Sequence, residues 1–85
     1  PDGLKLAHEA VGLNRAVFGP DHRNTLVASC DLAEFLRINS DQDGALGLYR
    51  DVLKVCRPVY GPEDPLTLRV SAKIAVYGAD KAARR

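Results

Sequence analysis

The sequence of 85 residues lacks several features that would assign it to a specialised class of protein. It has no run of about 18 apolar residues, which a membrane-spanning helix needs, and no charged start followed by an apolar stretch, which marks a signal peptide. Its two cysteines are too few for a disulfide scaffold and cannot alone complete a four-ligand zinc site. The formal net charge of +1 lacks the basic excess of a protein held to nucleic acid through its phosphates.

The remaining composition is that of one small soluble domain, with 46% hydrophobic and 27% charged residues. The chain starts at Pro1 and contains no Met. We therefore expect it to be a processed product or a piece of a longer protein.

The chain repeats itself with a period of 42 residues. Phe18-Gly19-Pro20-Asp21 falls on Tyr60-Gly61-Pro62-Glu63, and Thr25-Leu26 falls on Thr67-Leu68. Several apolar positions also match, and chance could supply a few of those. Chance would hardly supply both the aromatic-Gly-Pro-acidic sequence and the Thr-Leu pair at the same offset. Self-similarity at a fixed period indicates a repeat architecture.

Each repeat unit is predicted to contain two helices, because its apolar residues recur with a period of about 3.6 residues. The clearest stripe lies between 43 and 56 and consists of Ala45, Leu48, Tyr49, Val52, Leu53 and Cys56. The pattern predicts an all-α fold of about four helices over 2–17, 24–38, 42–57 and 65–78. Pro58 predicts that the third helix ends or kinks near Arg57. Residues 79–85 either extend the fourth helix or fray.

Helices 24–38 and 65–78 are expected to turn equivalent residues inward. These are Leu26, Ser29, Leu32, Ala33 and Leu36 in the first, and Leu68, Ser71, Ile74 and Ala75 in the second. On helix 2–17 the inward set is Gly3, Leu6, Ala7, Ala10 and Val11. The two end helices would also offer apolar residues that no neighbour covers: Leu4, Val11, Leu13 and Val17 at one end, and Leu66, Leu68, Ile74 and Val76 at the other. We therefore expect possible self-association through the exposed end helices.

These residues carry a resemblance to a known family. Three groups of residues carry it: Gly19, Asp21, His22, Thr25 and Leu26; Leu32, Ala33 and Leu36; and Ala45, Leu46, Tyr49, Val52 and Leu53. In type and spacing they resemble the 42-residue tetratricopeptide repeat of the kinesin-light-chain type. The chain then holds the second helix of one repeat (2–17), a full repeat (22–59), the first helix of the next (64–78) and a tail (79–85). Arg23 replaces the family's proline, Asp64 its histidine, Ser40 its inter-helix glycine, and Asp31 and Lys73 its asparagine.

The resemblance implies antiparallel helix pairs in a right-handed superhelix whose concave groove binds peptides or partner proteins. The groove residues carried over from the family are Val27, Cys30, Asp31, Glu34, Arg37, Arg69, Ala72, Lys73 and Val76. The groove would be acidic at one end and basic at the other, so it would disfavour a uniformly acidic ligand. The expected function is a protein-interaction scaffold. The alternative is a structural spacer or self-association segment of a larger signalling or regulatory protein.

No residue pattern predicts catalysis, a metal site or a cofactor. His8, His22, Cys30 and Cys56 lack metal-ligand spacing, and His22 is expected to cap or pack at a helix start. The acids at 31, 34, 41 and 43 could supply a general acid/base pair, but Asp41 and Asp43 are better explained by their place at a helix start, where the helix dipole favours negative charge. The basic tail from Lys81 to Arg85 is more often a solvated end than a nucleic-acid arm, so we expect no nucleic acid and no membrane as partner.

Cys30 and Cys56 are expected to be reduced thiols. In an antiparallel helix pair they would be offset by roughly 9 Å along the axis, at 1.5 Å per residue, which is too far for an unstrained disulfide. Reduced thiols favour a reducing compartment, and the expected location is cytoplasmic.

Overall fold

The computed structural model describes residues 2–83, and its side chains over 3–81, as an all-α chain. The described residues form α1 (Asp2–Phe18), α2 (Arg23–Ile38), α3 (Gln42–Tyr60) and α4 (Pro65–Ala83). Each helix packs against the next one along the chain. The connections 19–22, 39–41 and 61–64 are so short that consecutive helices must run antiparallel.

A glycine with a positive φ follows the last residue of both α1 and α3, one repeat apart. Gly19 and Gly61 have φ of +92° and +98°, a conformation that side chains disfavour. Their N–H groups donate to the carbonyls of Arg15 and Arg57 at 2.9 and 3.0 Å. The turn between α2 and α3 instead places Ser40, a residue with a Cβ, at φ 68°. It lies where the repeat pattern has glycine.

The predicted end of α3 at Arg57 is wrong, because α3 continues through Pro58 to Tyr60. Pro58 lies in the last turn, so its missing N–H deprives only the carbonyl of Lys54 of a helical partner, and Lys54 is exposed to water. The helix therefore ends at Tyr60, the repeat equivalent of Phe18. The fourth helix also extends beyond the predicted 78, to Ala83.

The core is centred on α3, whose predicted stripe is largely buried. Tyr49 is only 2% exposed and Cys56 is fully buried. The buried cluster consists of Leu26, Cys30, Ala33, Ala45, Leu46, Tyr49, Val52, Cys56, Leu66, Val70 and Tyr77. Leu48 and Leu53, also in the predicted stripe, pack partly buried against this cluster.

The inward face predicted for α4 needs correction. Leu68 is 55% exposed, although its equivalent Leu26 is 3% exposed, because α3 covers Leu26 and no described helix covers Leu68. Ala75 is exposed for the same reason, and Leu66, expected at the open end, is buried in the core cluster. At the other end of the chain, Leu6 is exposed and not inward-facing.

The remaining end-face residues of the two helices are uncovered to different degrees. Leu13, Val17 and Val76 are exposed, as the pattern predicted. Leu4, Val11 and Ile74 are partly buried. No helix within residues 2–83 is both long and apolar enough to cross a bilayer.

Candidate functional site

Helices α2 and α4 are joined by side chains at two places, and the first tie links their N-termini. The Arg23 guanidinium donates two hydrogen bonds to the Asp64 carboxylate, at 2.9 and 2.7 Å. The same guanidinium lies 4.4 Å from the ring centroid of Tyr60. The Tyr60 hydroxyl donates to the carbonyl of Asp21 at 3.1 Å. This tie spans one full repeat, from the start of α2 to the start of α4.

Asp64, a residue of this tie, and His22, the neighbour of Arg23, cap the two helices. The Asp64 carboxylate accepts from the N–H of Leu66 at 2.9 Å, and His22 Nδ1 accepts from the N–H of Asn24 at 3.0 Å at the start of α2. The capping role predicted for His22 is thus confirmed, and its ring stacks on Phe18 with centroids 4.6 Å apart. The hydrogen bonds from Arg23 lower the pKa of Asp64, and those to Asp64 raise the pKa of Arg23.

The second tie joins the C-terminal halves of α2 and α4 and the N-terminal half of α3 through Glu34. Its carboxylate accepts hydrogen bonds from the hydroxyls of Tyr49 at 2.5 Å and Tyr77 at 2.8 Å. Partial burial of the carboxylate would raise the pKa of Glu34, but these two hydrogen bonds outweigh it and the pKa is lowered. Burial, and then the hydrogen bond to Glu34, raise the pKa of Tyr49.

Two cations surround the Glu34 carboxylate. Arg37 donates to it at 3.4 Å, and the Lys73 ammonium lies 4.0 Å from it and donates to the Tyr77 hydroxyl at 3.3 Å. Arg37 and Lys73 also lie 5.1 and 5.5 Å from the centroid of the Tyr77 ring. The charge of Glu34 is thus engaged within the protein and holds the helices together.

The predicted groove residues differ in how far they are available to a ligand. Those that are exposed are Asp31, Arg37, Arg69, Ala72 and Val76; those that are half-buried are Val27, Glu34 and Lys73. Cys30 is 1% exposed and lies in the core cluster, because α3 packs over its face of α2. Burial raises the pKa of its thiol to about 11, and the side chain has almost no surface for a ligand to contact.

Two of the exposed or half-buried residues, Val27 and Asp31, line a hollow of about 370 Å³ between α1 and α2. A second hollow, of about 270 Å³, lies along the outer face of α3 beside Arg50, Leu53 and Lys54.

Cys56 and Cys30 are buried free thiols. Within the described residues, no three His, Cys, Asp or Glu side chains cluster as a metal site requires.

Sequence reasoning missed both ties. Arg23 and Asp64 were not expected to meet, although they carry opposite charges and lie 41 residues apart, close to the period of the repeat. Tyr77 was assigned no role from the sequence. Nothing in the sequence indicated that its hydroxyl shares a carboxylate with Tyr49, since that contact joins three helices.

Comparison with known families agrees with this geometry. A model of the tetratricopeptide repeat, of the kinesin-light-chain type, matches residues 25–66. The matched segment is as long as the internal period and covers most of α2, all of α3 and the start of α4. The chain therefore belongs to the tetratricopeptide repeat family, whose members are typically non-catalytic protein-interaction scaffolds. Searches of curated proteins and of solved structures gave no significant match.

Proposed function

We propose that the surface formed by α2 and α4 is a groove that binds an extended peptide or a segment of a partner protein. The observation that carries this proposal is the pair of ties, because Arg23–Asp64 and Glu34–Tyr77 join the two helices near both ends of the shared surface. Asp31 and Arg69 lie along the helices between the ties and are exposed. A surface fixed in this way loses little conformational entropy when a ligand binds.

The charges of this groove favour a ligand of mixed charge. Asp31 is its exposed acid, since Glu34 is engaged by Tyr49 and Tyr77. Arg69 and Lys73 are its bases on α4. A uniformly acidic segment would meet repulsion at Asp31, and a uniformly basic one would meet it at α4. Ala72 and Val76 add apolar surface beside the charges.

The experiment is selection of peptides from a random displayed library on the immobilised chain, followed by affinity measurement of the selected peptides. Arg69→Glu should weaken them about tenfold, a loss of about 1.4 kcal/mol. Arg50→Glu is the matched control, because Arg50 is an exposed arginine on α3 outside the groove. Arg69 is preferred to Lys73 for this test, since Lys73 also supports the Glu34 cluster. Equal effects of the two variants, or selection of no peptide at all, would refute the groove.

A second candidate function is assembly, as a structural spacer or self-association segment of a larger protein. The observation that favours it is the uncovered apolar surface of both end helices: Leu6, Leu13 and Val17 on α1, and Leu68 and Val76 on α4. Sedimentation velocity without any ligand tests it. Concentration-dependent association that Leu13→Lys abolishes would support assembly, whereas a monomer at all micromolar concentrations would contradict it.

The proposal includes a reducing, cytoplasmic setting. Its support is that Cys30 and Cys56 are both buried free thiols.

A further inference from the structure

The outer face of α3 carries three cations around an apolar hollow. Arg50, Lys54 and Arg57 lie at i, i+4 and i+7, so they form one stripe along the helix, and all three are exposed. Leu53 and Pro58 line the hollow of about 270 Å³ together with these cations. This surface lies outside the groove of α2 and α4, and the proposed function makes no use of it.

Within the described residues, no acid offsets the charge of this stripe. None of the three cations takes part in an ion pair. The two acids of α3 lie elsewhere, since Asp51 lines the hollow on the α1 side of the helix and Asp43 forms an ion pair with Lys81 of α4. Like charges three and four residues apart on a helix repel one another and lower its stability. A stripe that lowers stability and has no counterion within the chain indicates a negatively charged partner outside it.

The helical repeat does not require this charge. The equivalent stripe on α1, 42 residues earlier, consists of His8, Gly12 and Arg15, so it holds one permanent cation instead of three. The same helix of the repeat thus forms with little charge on its outer face. The additional cations are therefore a feature of α3 itself.

The exposure of this face is a property of the repeat. For α1 the following repeat is present, because α3 lies beside α1 and lines a hollow with Arg15. The α1 residues at the five equivalent positions are nevertheless uncovered: His8, Gly12, Arg15 and Ala16 are exposed and Val11 is half-buried. Their equivalents on α3 have the same exposure, position by position. A repeat placed beside α3 is therefore expected to leave its outer face open.

The occupant that fits this face is an acidic segment with one apolar side chain. A cavity of about 150 Å³ holds benzene, so the hollow has room for a leucine or phenylalanine side chain against Leu53 and Pro58. Carboxylates on either side of it would meet Arg50 and Arg57, whose guanidinium groups bind carboxylates through paired hydrogen bonds. A nucleic acid or an anionic membrane offers phosphates but no such side chain, and a net charge of +1 gives little general attraction for a polyanion.

We propose that the outer face of α3 is a second docking surface, which binds an acidic segment of a partner protein with a leucine or phenylalanine in the hollow. The groove of α2 and α4 disfavours a uniformly acidic ligand, so the two surfaces select different segments. The assignment does not depend on the groove, because the two surfaces share no residue.

The probe is the peptide acetyl-Glu-Glu-Leu-Glu-Glu-amide, titrated into the ¹⁵N-labelled full chain and followed by NMR. Saturable binding is expected, with shifts centred on Arg50, Leu53, Lys54 and Arg57. Binding should weaken at least about fivefold when glutamine replaces the glutamates, and also when serine replaces the leucine. Equal binding of the leucine and serine peptides would overturn the assignment. Tighter binding of an oligothymidylate at this face, or sedimentation of the chain with phosphatidylserine vesicles, would also overturn it.

Charge reversal locates the surface. Arg50→Glu should weaken the acidic peptide about tenfold, whereas Arg69→Glu, which removes an exposed arginine of the groove, should leave it unchanged. The two variants exchange roles for peptides that bind the groove, so each peptide is assigned to one surface by the variant that weakens it. Full binding by Arg50→Glu, or an equal loss in Arg69→Glu, would overturn the assignment even if the groove is confirmed.

Lys54→Gln separates binding from stability. Lysine and glutamine have similar helix propensities, so the substitution chiefly removes the positive charge between Arg50 and Arg57. It should raise the melting temperature, because repulsion falls, and weaken the acidic peptide about threefold. A lower melting temperature with unchanged peptide affinity would show that the stripe serves the fold, and that result would overturn the proposal.

Discussion

The second tie, in which Glu34 accepts hydrogen bonds from Tyr49 and Tyr77, is expected to contribute strongly to stability; we call these three residues the Glu34 cluster. In Glu34→Ala, the hydroxyls of Tyr49 and Tyr77 lose a charged acceptor at 2.5 and 2.8 Å. A hydrogen bond to a charged group contributes about 1.5–3 kcal/mol. The Tyr49 hydroxyl retains a longer bond to the carbonyl of Cys30, at 3.5 Å, which offsets part of the loss. We therefore expect Glu34→Ala to lower the free energy of unfolding by about 3 kcal/mol.

Urea denaturation followed by circular dichroism measures this change. Glu34→Gln keeps an acceptor but loses the charge, so it should cost about 1 kcal/mol. Glu9→Ala removes an exposed glutamate of α1 and should stay within about 0.5 kcal/mol of the wild type. A cost below about 1 kcal/mol for Glu34→Ala would mean that Glu34 is a groove side chain and not a tie.

The pH dependence provides a second, independent test of the cluster. Because the pKa of Glu34 is lower in the folded chain than in the unfolded chain, its contribution is complete above the unfolded pKa, about 4.3. The contribution is lost as the pH falls through the lower folded value. The stability difference between the wild type and Glu34→Gln should therefore be constant near neutral pH and shrink on acidification. A difference that grows below pH ~4 would have the wrong sign.

Five further predictions concern individual residues or pairs. Tyr49→Ala truncates a buried aromatic and should cost about 3 kcal/mol in urea denaturation; a cost under about 1 kcal/mol would mean that the register of α3 is wrong. Thr25→Val should cost about 1 kcal/mol, because its hydroxyl donates to the Gly19 carbonyl at 2.7 Å. The repeat-related Thr67→Val should be neutral or stabilising, because the buried Thr67 hydroxyl has no hydrogen-bond partner among the described residues; equal costs for the two would contradict this reasoning. Ser40→Gly should raise the melting temperature by relieving the positive φ, and Ser40→Ala, which keeps a Cβ, should not. A double-mutant cycle of Arg23→Ala and Asp64→Ala should give a favourable coupling that high salt weakens, and strict additivity would exclude the first tie.

The helices were predictable because their signals are local. The 3.6-residue stripe of α3 placed Tyr49 and Cys56 in the core, and both are buried there. The end of α3 was misplaced because Pro58 was expected to end or kink the helix near Arg57. In the last turn, proline removes only one helical hydrogen bond, and Lys54, whose carbonyl would have accepted it, is an exposed residue.

For two of the predicted groove residues, the sequence did not indicate the contacts that they make with other helices. The repeat register placed Cys30 and Glu34 on the ligand side of α2. The register specifies direction around one helix, but it does not specify what the neighbouring helices bring to that side. Packing by α3 buries Cys30, and the tyrosines of α3 and α4 engage Glu34.

Departures from a repeat pattern are most informative when they are compared one period apart. Arg23 and Asp64, each anomalous in its own copy, form one ion pair that replaces proline and histidine with a tie between repeats. Either residue alone would leave an unpaired charge at a helix start, whereas together they make two hydrogen bonds between α2 and α4. The two departures from the repeat therefore have to be read as one pair.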